Sequence, residues 1–316
     1  MCIVCALGEG KAEPDAIRLR DALRRIRSET HCPVALRCNA GDTFSFQDTG
    51  TEDDAHGSAE VNRQRDLEIL RRLSLAPGTT LPARMLFLRL LKRIETTSGL
   101  CGDPAAGSDA WRGCPKSECG YYSAGRAKGI AAIIPPRDPV ELAKEKMESM
   151  AAMETSDAVD IKPHLLICAV AQYGADMRPP FDQDNLPELI QRIIDNPDTR
   201  LRMVPGADWM MCGPCPSRAP EVNGCAHGIY QELKDLNVLK RLGLTYGSVM
   251  NARELYQRLF ERVRTPVGMC ALQGNADDIQ VWRDPCGQPD AVCPGNYAKG
   301  RTQLMARFGW TDGSEK

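Results

Sequence analysis

The sequence predicts a helix-rich α+β fold with short strands, arranged as a pseudo-twofold tandem repeat, and three observations carry that expectation. The first is internal identity: Asp66 to Cys101 aligns without a gap on Asp235 to Cys270, with 16 identities over 36 positions. Most mismatches are exchanges such as Ile69 for Val238 or Arg71 for Lys240, which excludes chance as the source. Second, each copy is followed by a Trp-Arg pair (Trp111-Arg112, Trp282-Arg283), two more cysteines (Cys114 and Cys119, Cys286 and Cys293) and a Gly-Arg pair (Gly125-Arg126, Gly300-Arg301). Third, short apolar runs and charged amphipathic stretches follow one another in the same order in both halves, the pattern of short strands packed with helices.

Ile3 to Leu7 is short, apolar and followed by Gly8, so it reads as a buried strand that delivers Cys5; Leu165 to Val170 is its counterpart and delivers Cys168. Gly8-Glu9-Gly10-Lys11 lacks the spacing and the following Ser or Thr of a phosphate-binding loop. Pro14 to Ser28 is a charged amphipathic helix, and Leu186 to Asp195 fills the same role in the second half. A second short strand follows each, over Val34 to Arg37 and Arg200 to Val204. The duplicated segment is a helix pair. One helix ends near Leu75 or Leu244, a turn runs through Gly78 or Gly247, and a second helix spans Leu81 to Ile94 or Met250 to Val263. Leu67, Leu70 and Leu73, then Leu86, Leu90 and Ile94, recur at helical spacing and are core positions. Pro135-Pro136-Arg137 marks a boundary, and Asp138-Pro139-Val140-Glu141 has the cap, first-turn proline and first-turn acid of a helix start. The expected organisation is a first repeat over 1–134, a linker helix within 135–160 and a second repeat over 161–316.

The halves differ at one place. After its second strand, the second half carries Cys212-Gly-Pro-Cys215 and then Cys225 in a loop broken by Pro214, Pro216, Pro220 and Gly224. The first half has instead an acidic loop from Asn39 through Asp54 and Gly57, without cysteine. The first repeat is thus degenerate and the second has the complete cysteine set.

A chain of 316 residues with 42% hydrophobic positions can bury a full core without covalent staples. Its net charge of -2 gives no nucleic-acid footprint. Arg18, Arg20, Arg24, Arg25 and Arg27 alternate with Ile17, Leu23 and Ile26, which describes the solvated face of a helix. No signal-like leader and no apolar run of membrane-spanning length is present, so a reducing, cytoplasmic location is expected, where thiols are free unless a metal or a redox cycle uses them.

Fourteen cysteines therefore need a chemical explanation. Pairing the copies matches Cys5, Cys101, Cys114 and Cys119 with Cys168, Cys270, Cys286 and Cys293 in order. Four thiolates close a tetrahedral zinc site or ligate every iron of a cubane cluster. The loop spacings, twelve and four intervening residues in one copy and fifteen and six in the other, are loose for a zinc knuckle and favour the larger cluster. Cys5 and Cys168 could equally be small buried hydrophobes. Cys212-x2-Cys215-x9-Cys225 supplies three soft thiolates from one loop, enough to grip a cubane and leave its fourth iron for Cys168, for an outside ligand or for a substrate. Cys168 fits both sets, and the spacing does not choose between them. Cys212-Gly-Pro-Cys215 also has the form of a thiol-disulfide redox pair, which needs a helix N-terminus at its first cysteine; Pro216, Pro220 and Gly224 are poor material for one. His164 and His227 flank the same constellation, as ligands or as hydrogen-bonded structural residues. Cys2, Cys32 and Cys38 have no clear counterparts.

On these residues the chain resembles a family of uncharacterised bacterial and archaeal cysteine-rich proteins described as candidate iron-sulfur binders. The resemblance rests on His164-Leu-Leu-Ile-Cys168, on Gly206-Ala-Asp-Trp-Met-Met-Cys212-Gly-Pro-Cys215 with Cys225, on Leu242-Gly-Leu-x-x-Gly247, and on the closing cysteine-rich loop. It implies cluster binding with no established reaction. It implies two fused copies, the first without the Cys-x2-Cys loop, and a single His164 where the family has paired histidines. The expectation is a protein holding one to three iron-sulfur clusters of the [4Fe-4S] type. One would sit in the second repeat, on ligands drawn from Cys168, Cys212, Cys215, Cys225, Cys270, Cys286 and Cys293, and another in the first, on Cys5, Cys101, Cys114 and Cys119. Its partner would be a redox protein or a small molecule at an open iron, with no nucleic acid and no membrane. Zinc in an interaction module, or a Cys212/Cys215 oxidoreductase, are the alternatives.

Overall fold

Short helices, glycine-ended turns and three-residue strands build two compact units, Met1–Pro136 and Arg137–Lys316, in the computed structural model. The structure describes residues 1–38, 58–103, 105–219, 223–225, 228–269 and 292–310. The acidic loop after Asn39, Cys270, Cys286, the Trp282-Arg283 pair and His227 lie outside them.

The first unit contains α1 (Cys2–Gly8), α2 (Ile17–Ser28), β1 (Pro33–Ala35), α3 (Ala59–Leu73), β2 (Thr80–Pro82), α4 (Ala83–Arg93) and α5 (Tyr121–Ala127). Ser58 caps α3 through its hydroxyl and the Val61 N–H, as an N-terminal serine should. Antiparallel β1 and β2 pair Val34 with Leu81 and join α2 to the helix pair. Leu23, Ile26, Leu73, Leu90, Ile94 and Tyr122 converge in its core.

In the second unit stand α6 (Pro139–Thr155), β3 (Val159–Ile161), α7 (Pro163–Gly174), α8 (Leu186–Asp195), β4 (Arg200–Met203), α9 (Trp209–Cys212), β5 (Arg218–Ala219), β6 (Gly224–Cys225), α10 (Gly228–Leu242), β7 (Val249–Asn251), α11 (Ala252–Arg262) and α12 (Cys293–Phe308). Its central sheet runs β3-β4-β7, with β3 parallel and β7 antiparallel to β4. Leu186, Leu189, Ile190 and Ile193 of α8 fall three or four apart and are buried, so one stripe of that helix meets the core. The helix expected as a linker, α6, is an integral part of this unit: Asp138 caps it at the Val140 N–H, and Ser149 on its inner face is fully buried and accepts from the Asn185 amide at 2.7 Å.

Two expected strands are helices. Ile3 to Leu7 lies in α1 and Leu165 to Val170 in α7. A run that is apolar on all sides has no period from which to tell strand from helix, and these runs are apolar because each helix is closely enclosed. α1 packs on α5 and α7 on α12, two helices hidden in what the sequence presents as trailing cysteine loops. The crossings use glycine as a flat surface. A Cβ on Gly125 would stand 2.0 Å from the Val4 carbonyl oxygen, and one on Gly300 would stand 2.0 Å from that of Val170. The second helix of each duplicated pair begins later than expected, at Ala83 and Ala252, because Thr80–Pro82 and Val249–Asn251 are extended and pair with β1 and β4.

The same connections recur inside each unit. The Leu75 N–H donates to Leu70 O at 2.9 Å, and Leu244 to Leu239 O at 3.0 Å. Ala83 N–H donates to Cys32 O at 2.9 Å, and Ala252 to Thr199 O at 2.8 Å. The residue that ends the first helix of the pair is left-handed in both, Ser74 at φ 51° and Gly243 at φ 67°. Tyr122 Oη donates to Ile94 O at 2.9 Å, and Tyr297 Oη to Val263 O at 2.8 Å.

Candidate metal centres

Two cavities collect most of the described cysteines. In the first unit, Cys2 and Cys5 on α1 face Cys101 and Cys114 from the loop after α4 around a cavity of about 330 Å³, whose rim carries Lys11, Arg65 and Lys116. The loop is fixed by its own backbone: the Cys114 N–H donates to Cys101 O at 2.6 Å, and Thr97 Oγ1 donates to Ser117 O at 2.5 Å. Burial pushes the Cys5 thiol up to about 12, with the Cys2, Cys101 and Cys119 sulfurs adding to the shift. Burial also pushes Cys101 up to about 11, and Cys2 adds to it. Protons are held on these sulfurs chiefly by burial, with the neighbouring sulfurs adding to it, an environment that a bound cation reverses. Cys119 is exposed and its Sγ donates to Lys116 O at 2.8 Å.

The sequence pairs Cys5 with Cys168, and the helix crossings set a different register. Gly8 ends α1 and Gly174 ends α7, each at its crossing, and counting back six residues from each gives Cys2 and Cys168. The place of Cys5 is taken in α7 by Ala171. Reading both runs as strand ends had concealed this helical register.

In the second unit, Cys212, Cys215 and Cys225 line one cavity of about 180 Å³ together with Lys162, Asp184 and Arg218. Asp208 caps α9, its carboxylate accepting from the Met210 N–H at 2.8 Å and the Met211 N–H at 3.4 Å. This short helix carries the chain to Cys212, and a turn closed by Cys215 N–H on Cys212 O at 3.0 Å brings the two thiols together. Cys225 arrives on β6, paired with Arg218 of β5. The Arg137 guanidinium donates to Gly213 O at 2.9 Å and Cys215 O at 3.1 Å, holding the turn from behind. Burial raises the Cys212 thiol well above its ordinary value, with Asp208 and Cys215 adding to the effect. Burial raises Cys215 too, with the nearby backbone N–H groups of Ser217 and Arg218 opposing the rise, and the Arg218 N–H donates to Cys215 O at 3.1 Å.

Cys212 stands at the C-terminal end of α9. A redox pair of the thioredoxin kind needs its first cysteine at a helix N-terminus, where the dipole lowers the thiol's pKa. Here both placement and shift are the reverse.

His164 is a structural histidine. It is buried, its Nδ1 lies 2.7 Å from Asp235 Oδ1, and its backbone N–H donates to the same oxygen at 2.8 Å. Lys162 Nζ lies 3.7 Å from Asp235 Oδ2 and donates to Gln231 Oε1 at 3.2 Å. Sequence reading missed this buried set, since Lys162 and Asp235 are 73 positions apart. Cys32 and Cys38 are buried among apolar side chains of the first unit, and Cys293 opens α12 in the core of the second. The described cysteines form no disulfide. Among the described residues no three His, Cys, Asp or Glu side chains converge closely enough to hold one ion, and no helix is long and apolar enough to cross a membrane.

No family model, curated protein or solved structure matches the chain.

Proposed function

We propose that this protein binds iron-sulfur clusters, of the [4Fe-4S] type, on a tandemly duplicated scaffold, and acts in electron transfer or at an iron left open to a small molecule. The observation that carries the reading is the Cys212, Cys215 and Cys225 set: three thiols from one loop on one cavity. The set fits a cluster by its donor chemistry, soft sulfur ligands in one pocket. A bound cluster would supply a one-electron couple, or a Lewis-acidic iron at a corner without a cysteine. The chain's part is to hold the three sulfurs, to line the pocket with Leu165, Leu186 and Met211, and to place the positive charges of Lys162 and Arg218 beside an anionic centre.

The cavity in the first unit supports a second cluster on Cys101, Cys114 and the cysteines of α1, with Cys119 beside them. Duplication of the scaffold is supported by the matching backbone and tyrosine hydrogen bonds of the two units. The resemblance to the cysteine-rich family of candidate iron-sulfur binders belongs to this same reading, as do a reducing compartment and a redox protein or small molecule as partner. The cysteines line walls and do not converge on a point. A cluster accepts one thiolate at each iron, whereas a zinc ion needs every sulfur within about 2.3 Å of itself. Replacing Cys215 with Ser tests the reading: about one cluster's complement of iron and sulfide should be lost per chain. Unchanged iron in that variant would contradict it.

A further inference from the structure

We infer that the first unit holds its cluster on Cys2, Cys5, Cys101 and Cys114, one thiolate to each iron, and so works as an electron carrier closed to added ligands, with Cys119 outside the ligand set. This rests on the cluster reading above and chooses, for this unit, between the two roles which that reading leaves.

The first unit contains seven cysteines, Cys2, Cys5, Cys32, Cys38, Cys101, Cys114 and Cys119, and all of them lie within the described residues. The candidates are therefore complete, and position sorts them. Cys32 and Cys38 are buried among apolar side chains and neither lines the cavity. Cys119 is exposed, its Sγ donates to Lys116 O at 2.8 Å, and it forms no part of the cavity wall. The other four line one cavity of about 330 Å³. Four thiolates are the number that a four-iron cluster takes.

Two pairs present these thiols, each for a local reason. Cys2 and Cys5 stand three residues apart in α1, and residues at that spacing share one face of a helix with Cβ atoms about 5–6 Å apart. Cys101 and Cys114 face each other across the antiparallel bridge of Gly102 with Gly113, which is closed by the Cys114 N–H on Cys101 O at 2.6 Å and the Asp103 N–H on Arg112 O at 3.3 Å. Directly opposed residues of such a bridge project to the same side, with Cβ atoms about 4.5–5.5 Å apart. Both glycines are needed for it. A Cβ on Gly113 would stand 2.5 Å from Cys101 O, and one on Gly102 would stand 2.7 Å from Arg112 O. The two pairs are also tied to each other. Lys116 Nζ, two residues after Cys114, donates to Glu9 Oε1 at 2.7 Å at the end of α1, and Gly8 and Gly125 press α1 onto α5, the helix that follows the cysteine loop.

A cluster ligated by four cysteines has no iron left for a substrate. Its chemistry is electron transfer: the cluster takes one electron from a reduced partner protein and returns to its oxidised state by giving that electron to an acceptor.

Iron and sulfide are measured per chain on anaerobically purified full-length wild type, Cys2→Ala, Cys5→Ala and Cys119→Ala, with circular dichroism to check folding. Cys2 and Cys119 are exposed, so both of those variants should fold. The inference expects Cys2→Ala and Cys5→Ala each to lose iron, up to about four per chain, and Cys119→Ala to keep the wild-type content. Alkylation reads the same assignment without any substitution: of these two exposed thiols, iodoacetamide should modify only Cys119 in the loaded protein, and both once a chelator has removed the iron. Cyanide, a small ligand for an open iron, is then added to reduced wild type, and the electron paramagnetic resonance signal that Cys2→Ala removes or alters should stay unchanged. Iron loss in Cys119→Ala, full retention in Cys2→Ala or in folded Cys5→Ala, or alkylation of Cys2 in the loaded protein overturns the ligand set. A shift of that signal by cyanide overturns the closed role. Wild-type protein without iron overturns the cluster reading itself, a different outcome from these.

Discussion

Asp235 is fully buried and holds a histidine and a lysine that are almost as deep. Such an array is stable only while complete, since removing one partner strands a charge in a medium that solvates it poorly. Asp235→Ala should therefore destabilise the second unit by roughly 3–5 kcal/mol, read as a shift in denaturation midpoint; a change within about 0.5 kcal/mol would mean that Lys162 and His164 find other partners. Burial also holds His164 below the ordinary imidazole range, against the opposing pull of Asp235. The unfolded chain then binds the proton more readily, so this contribution is complete above about pH 6.5 and is lost as pH falls toward the folded value. Asp208 acts in the opposite direction. Burial raises its carboxyl to about 7, so its contribution is present near pH 4 and is lost as pH rises through 7. Asp208→Asn should accordingly steepen the loss of stability on acidification between about pH 7 and pH 4 in apo-protein, because a group that opposes the histidine slope is removed, while Asp184, also raised by burial, is common to both proteins. An unchanged slope would contradict this assignment of opposing groups. The sequence marked His164 only by its nearness to Cys168; the structural role became legible once α10 brought Asp235 beside it.

At the scale of elements, the fold depends on two helix crossings that admit no side chain. Gly300→Ala would drive a Cβ into Val170 O at 2.0 Å, a backbone atom that cannot turn aside. It should cost at least the roughly 1–3 kcal/mol of an overpacked core. Gly295→Ala on the same helix meets nothing within 4 Å, and alanine's better helix propensity should leave it neutral or stabilised by up to about 1 kcal/mol. Equal denaturation midpoints for the two variants would contradict this packing. Elements with a clear period or cap were legible in the sequence: α8 through its apolar stripe, α6 through Asp138 and Pro139, and β4 within a residue of its observed end. The apolar runs around Cys5 and Cys168 were not, because uniform burial erases the periodicity that distinguishes helix from strand. α12 was hidden for another reason. Its first turn holds Cys293, Pro294 and Gly295, a composition that reads as loop even though proline is well placed in the first turn of a helix. The difference in secondary structure also brings Cys2, which the sequence left without a counterpart, onto the same cavity as Cys5.

For the whole molecule, the chain is two compact units in which several backbone and tyrosine hydrogen bonds recur, and the second carries the three-cysteine loop seated beside Lys162. The first unit gathers Cys2, Cys5, Cys101 and Cys114 on one cavity, and the second gathers Cys212, Cys215 and Cys225 on another. That cysteine is the residue type on which the proposed function rests was legible in the sequence. Which cysteines face the same space depended on helix register, which spacing alone does not encode. The most direct test is to purify the protein without oxygen, record its visible spectrum and count iron, sulfide and zinc. The account predicts a brown protein with equimolar iron and sulfide, more than one cluster per chain, and broad absorbance near roughly 400 nm that dithionite bleaches. A colourless protein carrying stoichiometric zinc, or no metal at all, would contradict it.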